Sequence, residues 1–262
     1  MLIRTLNARV LVIALVLGGC SSIPQKDSAP SRPIDVNTVP DAVPRAEPLS
    51  KYGNRPSYQV NGITYQVLPD ANGYSERGIA SWYGSKFHGL RTSSGEPYDM
   101  YAMTAAHRSL PLPSYARVTN LQNGRSVVVK INDRGPFHEN RLIDLSYAAA
   151  ARLDILPTGT GMVEMHVLSA RESTPPSPPV GPSGPPPRLY VQLGAFGQVE
   201  NAQRIADKLR DNGFQPVIVP IQQGATLVHR VRLGPLPSVD FADGLVRKLS
   251  QLGFSQRRVV VD

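Results

Sequence analysis

The carboxyl-terminal third of the chain contains an internal repeat with an offset of forty residues, and this repeat limits the folds open to it. The repeated residues are Val191, Leu193, Gly194, Lys208, Leu209, Gly213 and Phe214, which recur as Val231, Leu233, Gly234, Lys248, Leu249, Gly253 and Phe254. A constant offset means two copies of one unit. Each copy predicts a strand, a helix and a strand, because apolar residues at helical spacing lie between two apolar runs. Two such halves form a four-stranded antiparallel sheet with both helices on one face, so the other sheet face is open.

Two proline-rich segments separate the parts of the chain that can fold. Residues 20–56 combine proline, serine and scattered charge without apolar periodicity, which predicts a disordered tether. Residues 171–187 contain runs of consecutive prolines and predict an extended linker. The sequence therefore predicts two domains, over residues 57–170 and 188–262.

The first of these domains shows short strand patterns bounded by turn residues. The predicted strands cover residues 63–68, 78–83, 116–120, 127–131 and 162–167. Asn123-Gly124 lies between two of them and predicts a hairpin with a primed turn. Residues 146–153 predict a short helix that Ser146 caps. Many short strands with little helix favour a small, mainly β barrel.

The amino end has the pattern of an export signal. Arg4 and Arg9 precede the apolar residues 10–17, which are too few to span a membrane. Residues 17–20 read Leu-Gly-Gly-Cys and resemble the bacterial lipobox, which implies that residues 1–19 are removed and that Cys20 carries lipid. The following Ser21 implies sorting to the outer membrane. The alternative is an ordinary signal peptide with a chance cysteine.

The chain is basic, with a net charge of +8, but its charge does not indicate nucleic-acid binding. An exported chain meets the anionic wall or a lipid surface instead, and a basic surface favours both encounters. The alternative is a basic surface without a function. The repeat domain shares its predicted layout with some RNA-binding domains. Those domains stack bases on several strand aromatics, whereas the strands predicted here are mostly aliphatic.

Polar and aromatic motifs are concentrated in the first domain. They are Gly78-Ile79-Ala80-Ser81-Trp82-Tyr83-Gly84, Thr92-Ser93-Ser94-Gly95-Glu96, Met103-Thr104-Ala105-Ala106-His107, Val129-Lys130-Ile131-Asn132-Asp133-Arg134-Gly135-Pro136-Phe137 and Arg141-Leu142-Ile143-Asp144-Leu145-Ser146. Asn-Asp and Gly-Pro are ordinary turn formers, so spacing alone leaves a plain loop and a functional loop both open at residues 132–137.

These motifs resemble the rare lipoprotein A (RlpA) family, which joins a double-psi β-barrel, similar to that of expansins, to a SPOR domain. The run Tyr190-Val191-Gln192-Leu193-Gly194-Ala195-Phe196, followed by Asn201-Ala202, is similar to the start of SPOR domains. The resemblance implies a lytic transglycosylase that cuts the β-1,4 bond between N-acetylmuramic acid and N-acetylglucosamine. It also implies peptide-free glycan strands at the division septum as the substrate, 1,6-anhydro ends as the product, and no cofactor.

The resemblance places the family's essential residues on Asp133, Glu96 and His107, with Asp133 as the acid and base. An acid must hold its proton when substrate binds, so we expect burial or a neighbouring anion to raise the pKa of Asp133. Glu96 could instead be a turn residue and His107 a structural histidine. A histidine with carboxylates could also bind a metal ion, but nothing in the spacing requires one, and we predict none. Asp144 lies just before Ser146, where a negative charge stabilises the start of the predicted helix. We therefore assign it to the helix start rather than to catalysis as a second carboxylate.

Further residues are candidates for contacts with sugar. Trp82, Tyr83, Arg134 and Phe137 are assigned to a groove in the barrel, with core packing as the alternative for the aromatic pair on the strand.

On the SPOR-like domain, Gln192, Phe196, Asn201 and Arg232 are assigned to glycan binding. Gln192 and Arg232 occupy equivalent repeat positions, and solvated sheet residues are the alternative for both.

The leading hypothesis is therefore a monomeric enzyme, anchored by lipid at the periplasmic face of the outer membrane and able to meet division proteins. The rival hypothesis is a non-catalytic, expansin-like protein that binds peptidoglycan at the septum without cutting it. Joint presence of Asp133, Glu96 and His107 favours the enzyme.

Overall fold

The computed structural model describes residues 27–30, 35–170 and 185–262. The predicted signal, Cys20 and most of the predicted linker lie outside the described residues. None of the helices in the described ranges is long and apolar enough to cross a membrane.

The first domain is a closed six-stranded barrel, which confirms the expected fold. Its strands are β3 (Ser75–Tyr83), β4 (Thr104–His107), β5 (Ser114–Asn120), β6 (Ser126–Asp133), β7 (Ile143–Ser146) and β8 (Gly161–Leu168), after a separate hairpin of β1 (Ser57–Val60) and β2 (Ile63–Gln66). The barrel order is β3-β7-β4-β6-β5-β8. Helix α1 (Tyr147–Arg152) follows β7. The Ser146 hydroxyl accepts a hydrogen bond from the Ala149 amide at 3.2 Å and so caps the helix, as the sequence predicts.

The short strand β4 is central to the order of the barrel. It pairs in parallel with β6 on one side and in antiparallel with β7 on the other. Alternate residues point inward, so Ala105, Ile131 and Leu145 are fully buried in the barrel core.

The turn predicted at Asn123-Gly124 is of a different kind from the one expected. It does join β5 to β6, but only Gly124 has a positive φ, +73°, and its amide donates to the Asn120 carbonyl across a wider turn. A primed two-residue turn needs positive φ at both residues. Asn61-Gly62, between β1 and β2, meets this requirement with φ values of +49° and +79°.

The prediction of a tether up to residue 56 is wrong from residue 35 onward, where the chain packs along the barrel. The Ala42 amide donates to the Val128 carbonyl at 3.0 Å, and Asp41 pairs with Arg152 at 3.1 Å. Glu47 pairs with Lys130 at 3.2 Å. Composition shows that this segment cannot fold alone, but it cannot show that a neighbouring domain supplies the partners.

The second domain has the architecture that the repeat predicts. Its elements are β9 (Leu189–Phe196), α2 (Val199–Asp211), β10 (Val217–Gln223), β11 (Thr226–Leu236), α3 (Val239–Gln251) and β12 (Arg258–Val261). The sheet order is β10-β11-β9-β12, and every neighbouring pair is antiparallel. Ala202, Ala206 and Leu209 of α2 are fully buried against the sheet. Gly213, at φ +80°, ends the first helical unit as expected.

Replacing a core residue of the barrel tests this packing. Because Ile131 is 0% exposed, we expect Ile131→Ala to lower the free energy of unfolding by about 2–5 kcal/mol in urea denaturation. Ile63 on the hairpin is 48% exposed, so Ile63→Ala should change it by less than about 0.5 kcal/mol. Equal losses for the two variants would contradict the assignment of the core.

Candidate functional site

Two aspartates lie on one face of the barrel, on either side of an alanine. Ala106 of β4 pairs with Asp133 of β6 and with Asp144 of β7. Ser81 of β3 pairs with Asp144 and completes what we call the carboxylate row: Ser81, Asp144, Ala106 and Asp133. Residues directly opposite each other in neighbouring strands share a face. Because strands are about 4.8 Å apart, the two aspartate backbones are separated by roughly 10 Å.

Asp133 is held rigidly by the segment that precedes β4. Its Oδ1 accepts hydrogen bonds from the Ser93 amide at 2.8 Å, the Ser93 hydroxyl at 2.6 Å and the Arg134 amide at 2.7 Å. Asp133 is half-buried, and none of the described residues donates a hydrogen bond to its Oδ2. One oxygen therefore fixes the side chain, and the other is available to a ligand.

Glu96 lies beside the same strand end but on the solvent side. Lys130 donates to its Oε1 at 2.8 Å, and Asn132 donates to its Oε2 at 3.0 Å. Burial raises the pKa of Glu96, but these two hydrogen bonds and the charge of Lys130 outweigh it, so the pKa is below its ordinary value. Glu96 is thus a charged neighbour and not a proton donor at neutral pH.

Asp144, on the other side of Ala106, has a raised pKa. Burial raises the pKa of Asp144, against the hydrogen bond from Ser81 and the positive charges of Arg141 and Arg108. Its Oδ2 faces Gly135, where an added Cβ would lie 3.7 Å from that oxygen. Gly135 has a φ of +137°, which favours glycine, and its missing side chain leaves space beside the Asp144 carboxylate and Ala106.

His107 is directed away from both aspartates. The residue is only 1% exposed. Its Nδ1 accepts hydrogen bonds from the amides of Ser109 at 3.2 Å and Leu110 at 3.1 Å. Nε2 lies 3.3 Å from the Tyr74 hydroxyl, which donates to Glu76. Burial, with the nearby charges of two arginines, lowers the pKa of His107 to about 3. The imidazole is therefore neutral, and its geometry is that of a structural histidine.

Arg134 does not reach into a groove, contrary to the sequence assignment. It is 9% exposed, and its guanidinium donates to the carbonyls of Gly53, His107 and Leu110 at distances between 2.5 and 3.0 Å. A buried guanidinium needs such partners. Arg134 therefore ties the 53–54 segment and the end of β4 to β6.

The two strand aromatics also differ from their assignment. Tyr83 is 9% exposed and stacks on Tyr98, with ring centroids 4.1 Å apart, in a cluster that includes Ala106. Trp82 is half-buried and packs edge-on against Tyr147. Tyr83 is therefore a core residue, which was the alternative to its assignment to a groove. It packs under the carboxylate row.

Phe137 keeps the exposure that a groove residue needs, and it has aromatic partners that the sequence analysis did not select. It is 39% exposed, and one ring atom lies 4.0 Å from the position of a Cβ on Gly135. Tyr65 and Tyr58 of the β1–β2 hairpin lie 5.5 and 6.3 Å from its ring centroid. These three side chains, which we call the aromatic patch, extend from the carboxylate row toward solvent.

Comparison with known proteins decides the family. A family model described as "Lytic transglycolase" matches residues 75–167, and one described as "SPOR domain" matches residues 185–258. A Vibrio cholerae protein named "Endolytic peptidoglycan transglycosylase RlpA" is 40% identical over 249 residues, which are 93% of this chain and 92% of that protein. The chain belongs to the RlpA family. A Pseudomonas aeruginosa protein of the same name is 38% identical over 276 residues, covering 85% of this chain and 80% of that protein.

Solved structures resemble parts of this RlpA-family chain. The RlpA SPOR domain from Pseudomonas aeruginosa is 29% identical, with a TM-score of 0.26, over 28% of this chain and 96% of that chain. A mutant Clavibacter michiganensis expansin, in complex with cellohexaose, is 15% identical, with a TM-score of 0.30, over 63% of this chain and 79% of that chain.

The SPOR domain brings two of its four assigned residues together on the open sheet face. Arg232 donates to Gln192 at 3.2 Å, pairs with Asp262 and lies over the Tyr190 ring at 5.3 Å. Only 3% of Arg232 is exposed, so it mainly orients its neighbours.

The other two SPOR residues lie elsewhere. Phe196 folds over Gly194, whose added Cβ would lie 2.5 Å from its ring. The Asn201 amide donates to Gln198 at 3.3 Å in the first turn of α2.

Sequence reasoning underrated Asp144 and missed the aromatic patch. Asp144 precedes the capping Ser146, which suggested a role at the helix start. The signal that would have found it is strand pairing: a four-residue β7 is too short for pattern recognition, but its pairing with β4 places Asp144 on the face of Asp133. Tyr58 and Tyr65 precede the residues that the family model matches.

The buried, neutral His107 predicts a pH-dependent stability. Unfolded histidine takes up a proton near pH 6.5, but His107 in the folded chain does not until about pH 3, so stability falls as pH decreases between these values. We expect protonation linked to His107 to lower the free energy of unfolding by up to about 1.4 kcal/mol for each unit of decreasing pH. His107→Asn keeps an acceptor for the Ser109 amide, and we expect its free energy of unfolding at pH 7 to be lower than that of the wild type. In urea unfolding, this difference in free energy should become smaller toward pH 4. His166→Asn, at an exposed position, is the control, and a constant gap for His107→Asn would refute the assignment.

Proposed function

We propose that this chain is an endolytic lytic transglycosylase of peptidoglycan that acts across the carboxylate row. One observation carries the proposal: two aspartates share a face on either side of Ala106, and burial raises the pKa of one of them, Asp144. The names of the RlpA relatives support the reaction. Its substrate would be the β-1,4 bond between N-acetylmuramic acid and N-acetylglucosamine in peptide-free strands.

The two aspartates divide the proton transfers. Asp144, whose pKa burial raises, donates a proton to the glycosidic oxygen as the bond from that oxygen to C1 breaks. The C6 hydroxyl oxygen of the same muramic acid bonds to C1, and its proton passes to Asp133. The product is a 1,6-anhydro end, and no water is consumed. Solvent then returns a proton to Asp144 and removes one from Asp133. The sequence hypothesis gave both steps to Asp133; the second carboxylate supports this division.

Glu96 and His107 support the reaction without transferring the proton. Glu96, held by Lys130 and Asn132, keeps a negative charge near the end of β6, where positive charge develops on the sugar. His107 acts through its carbonyl, which accepts a hydrogen bond from Arg134 at 3.0 Å and so helps to fix the residue next to Asp133. In this proposal Glu96 acts through its charge, and His107 is a positioning residue.

The aromatic patch and the SPOR domain would bind the glycan. Pyranose rings present apolar faces that stack on aromatic side chains, and Phe137 borders the space beside Asp144. Gln192, Phe196, Asn201 and Arg232 remain our proposal for the SPOR contacts, with Arg232 orienting Gln192. The SPOR domain would bring the barrel to stripped strands at the septum, and lipid on Cys20 would hold both at the periplasmic face of the outer membrane.

Replacing either aspartate tests the proposed chemistry. Asp133→Asn and Asp144→Asn should each reduce the formation of anhydro ends on peptide-free glycan by about 100-fold or more, measured by mass spectrometry. Asp154→Asn, at an exposed loop position, should retain full activity. A parent protein that binds glycan without forming anhydro ends would instead be the wall-binding protein of the rival hypothesis. Full activity in Asp144→Asn would remove that residue from the mechanism.

Truncating the aromatic patch tests the substrate contacts. Tyr65→Ala and Phe137→Ala should each lower kcat/KM on long glycan strands by roughly tenfold, because a stacked ring contributes about 1 kcal/mol beyond its buried area. Phe241→Ala is the control, because this phenylalanine is 54% exposed and lies on α3 of the SPOR domain, outside the patch. Unchanged kcat/KM in both patch variants would show that the patch does not bind glycan.

A further inference from the structure

The SPOR domain contacts the barrel at the segment that connects the two aspartates. This segment, which we call the joining loop, covers residues 134–142 between β6 and β7. Asp243 of α3 is 8% exposed; Asn140 donates to it at 2.8 Å, and Arg141 pairs with it at 3.3 Å. Arg257, just before β12, pairs with Glu139 at 3.2 Å. Three consecutive residues of the joining loop are thus held by the other domain.

An apolar contact accompanies these polar ones. Ile79 of β3 is 1% exposed and belongs to the same apolar cluster as Leu189 and Val261 of the SPOR sheet. Met162 of β8 packs against this cluster as well. A buried isoleucine at a domain junction favours a defined docked arrangement, because undocking would expose it to water.

The barrel holds the joining loop from its other side. The Leu142 amide donates to the Ile79 carbonyl at 2.7 Å, and Arg108 donates to the Arg141 carbonyl. Arg141 is therefore fixed through its backbone by the barrel and through its side chain by Asp243. It precedes Asp144 by three residues, and its charge is one of those that act on the Asp144 carboxyl.

We propose that docking of the SPOR domain positions Asp144 for the reaction, with the Asp243–Arg141 ion pair as the positioning contact. The pair draws the Arg141 guanidinium toward α3 and holds the last turn of the joining loop. Without it, the Arg141 side chain loses its only ion-pair partner among the described residues. This proposal rests on the proposed function, since it concerns the same two aspartates.

The test uses full-length protein in detergent and two independent readouts. Asp243→Asn keeps the shape of the side chain and removes its charge. We expect amide hydrogen exchange across residues 138–142 to become roughly tenfold faster, and kcat on peptide-free glycan to fall about tenfold with KM changed less than twofold. Glu139→Gln weakens the same junction from the barrel side and should change both readouts in the same direction.

Matched variants separate a docking effect from a general loss of structure. Asp207→Asn is the control in the same domain, because within the described ranges the Asp207 carboxylate bonds only to Arg210 and Gln203 of its own helix. It should change neither readout. Exchanging the charges in the double variant Asp243→Arg with Arg141→Asp should restore slow exchange at least in part, because the ion pair is rebuilt, whereas either single change should not.

The outcomes distinguish this inference from the proposed function. Unchanged exchange in both Asp243→Asn and Glu139→Gln would overturn the docking. Faster exchange with kcat within twofold of wild type would overturn the positioning role. A parent protein without activity would refute the proposed function and, with it, the role of docking in the reaction, although exchange would still report the docking itself.

Discussion

The backbone pairing of β4 with both β6 and β7 is the interaction on which the site depends. β4 is only four residues long, yet it brings together two aspartates that are eleven positions apart in the sequence. Its central position follows from the parallel pairing of β4 with β6, which separates β6 from β7 in the barrel although they are consecutive along the chain. The joining loop must therefore cross the end of β4, and it carries Gly135 over Ala106 as it does so.

The charged side chains around this pairing are of two kinds: some keep their charge, whereas burial opposes the ionisation of another. Arg134 is surrounded by carbonyls and secures the framework, whereas Lys130 and Asn132 keep Glu96 charged. Asp144 differs because burial opposes its ionisation more strongly than its neighbours favour it. Two aspartates on one face thus have distinct environments, and distinct environments allow two carboxyl groups to take different roles in one reaction.

Local patterns in the sequence were enough for the architecture but not for the site. The repeat predicts the four-stranded sheet because both copies encode strand, helix and strand locally, and Ser146 caps α1 as expected. The environment of Arg134, by contrast, depends on partners between 24 and 81 residues away, namely Leu110 and Gly53. Motif resemblance selects residues that matter, but only the packed structure separates a buried support from a group that can meet a ligand.

The repeat itself has a consequence for the junction between the domains. The SPOR domain has two similar halves. A rotation that exchanges them would therefore bring an almost equivalent backbone surface to the barrel. However, the residues forty positions before Asp243 and Arg257 are Gln203 and Val217, which carry no charge. The first half thus lacks the complement to Glu139 and Arg141. The two halves of this duplicated domain differ at their attachment points, and this asymmetry favours one orientation of the open sheet face relative to the barrel.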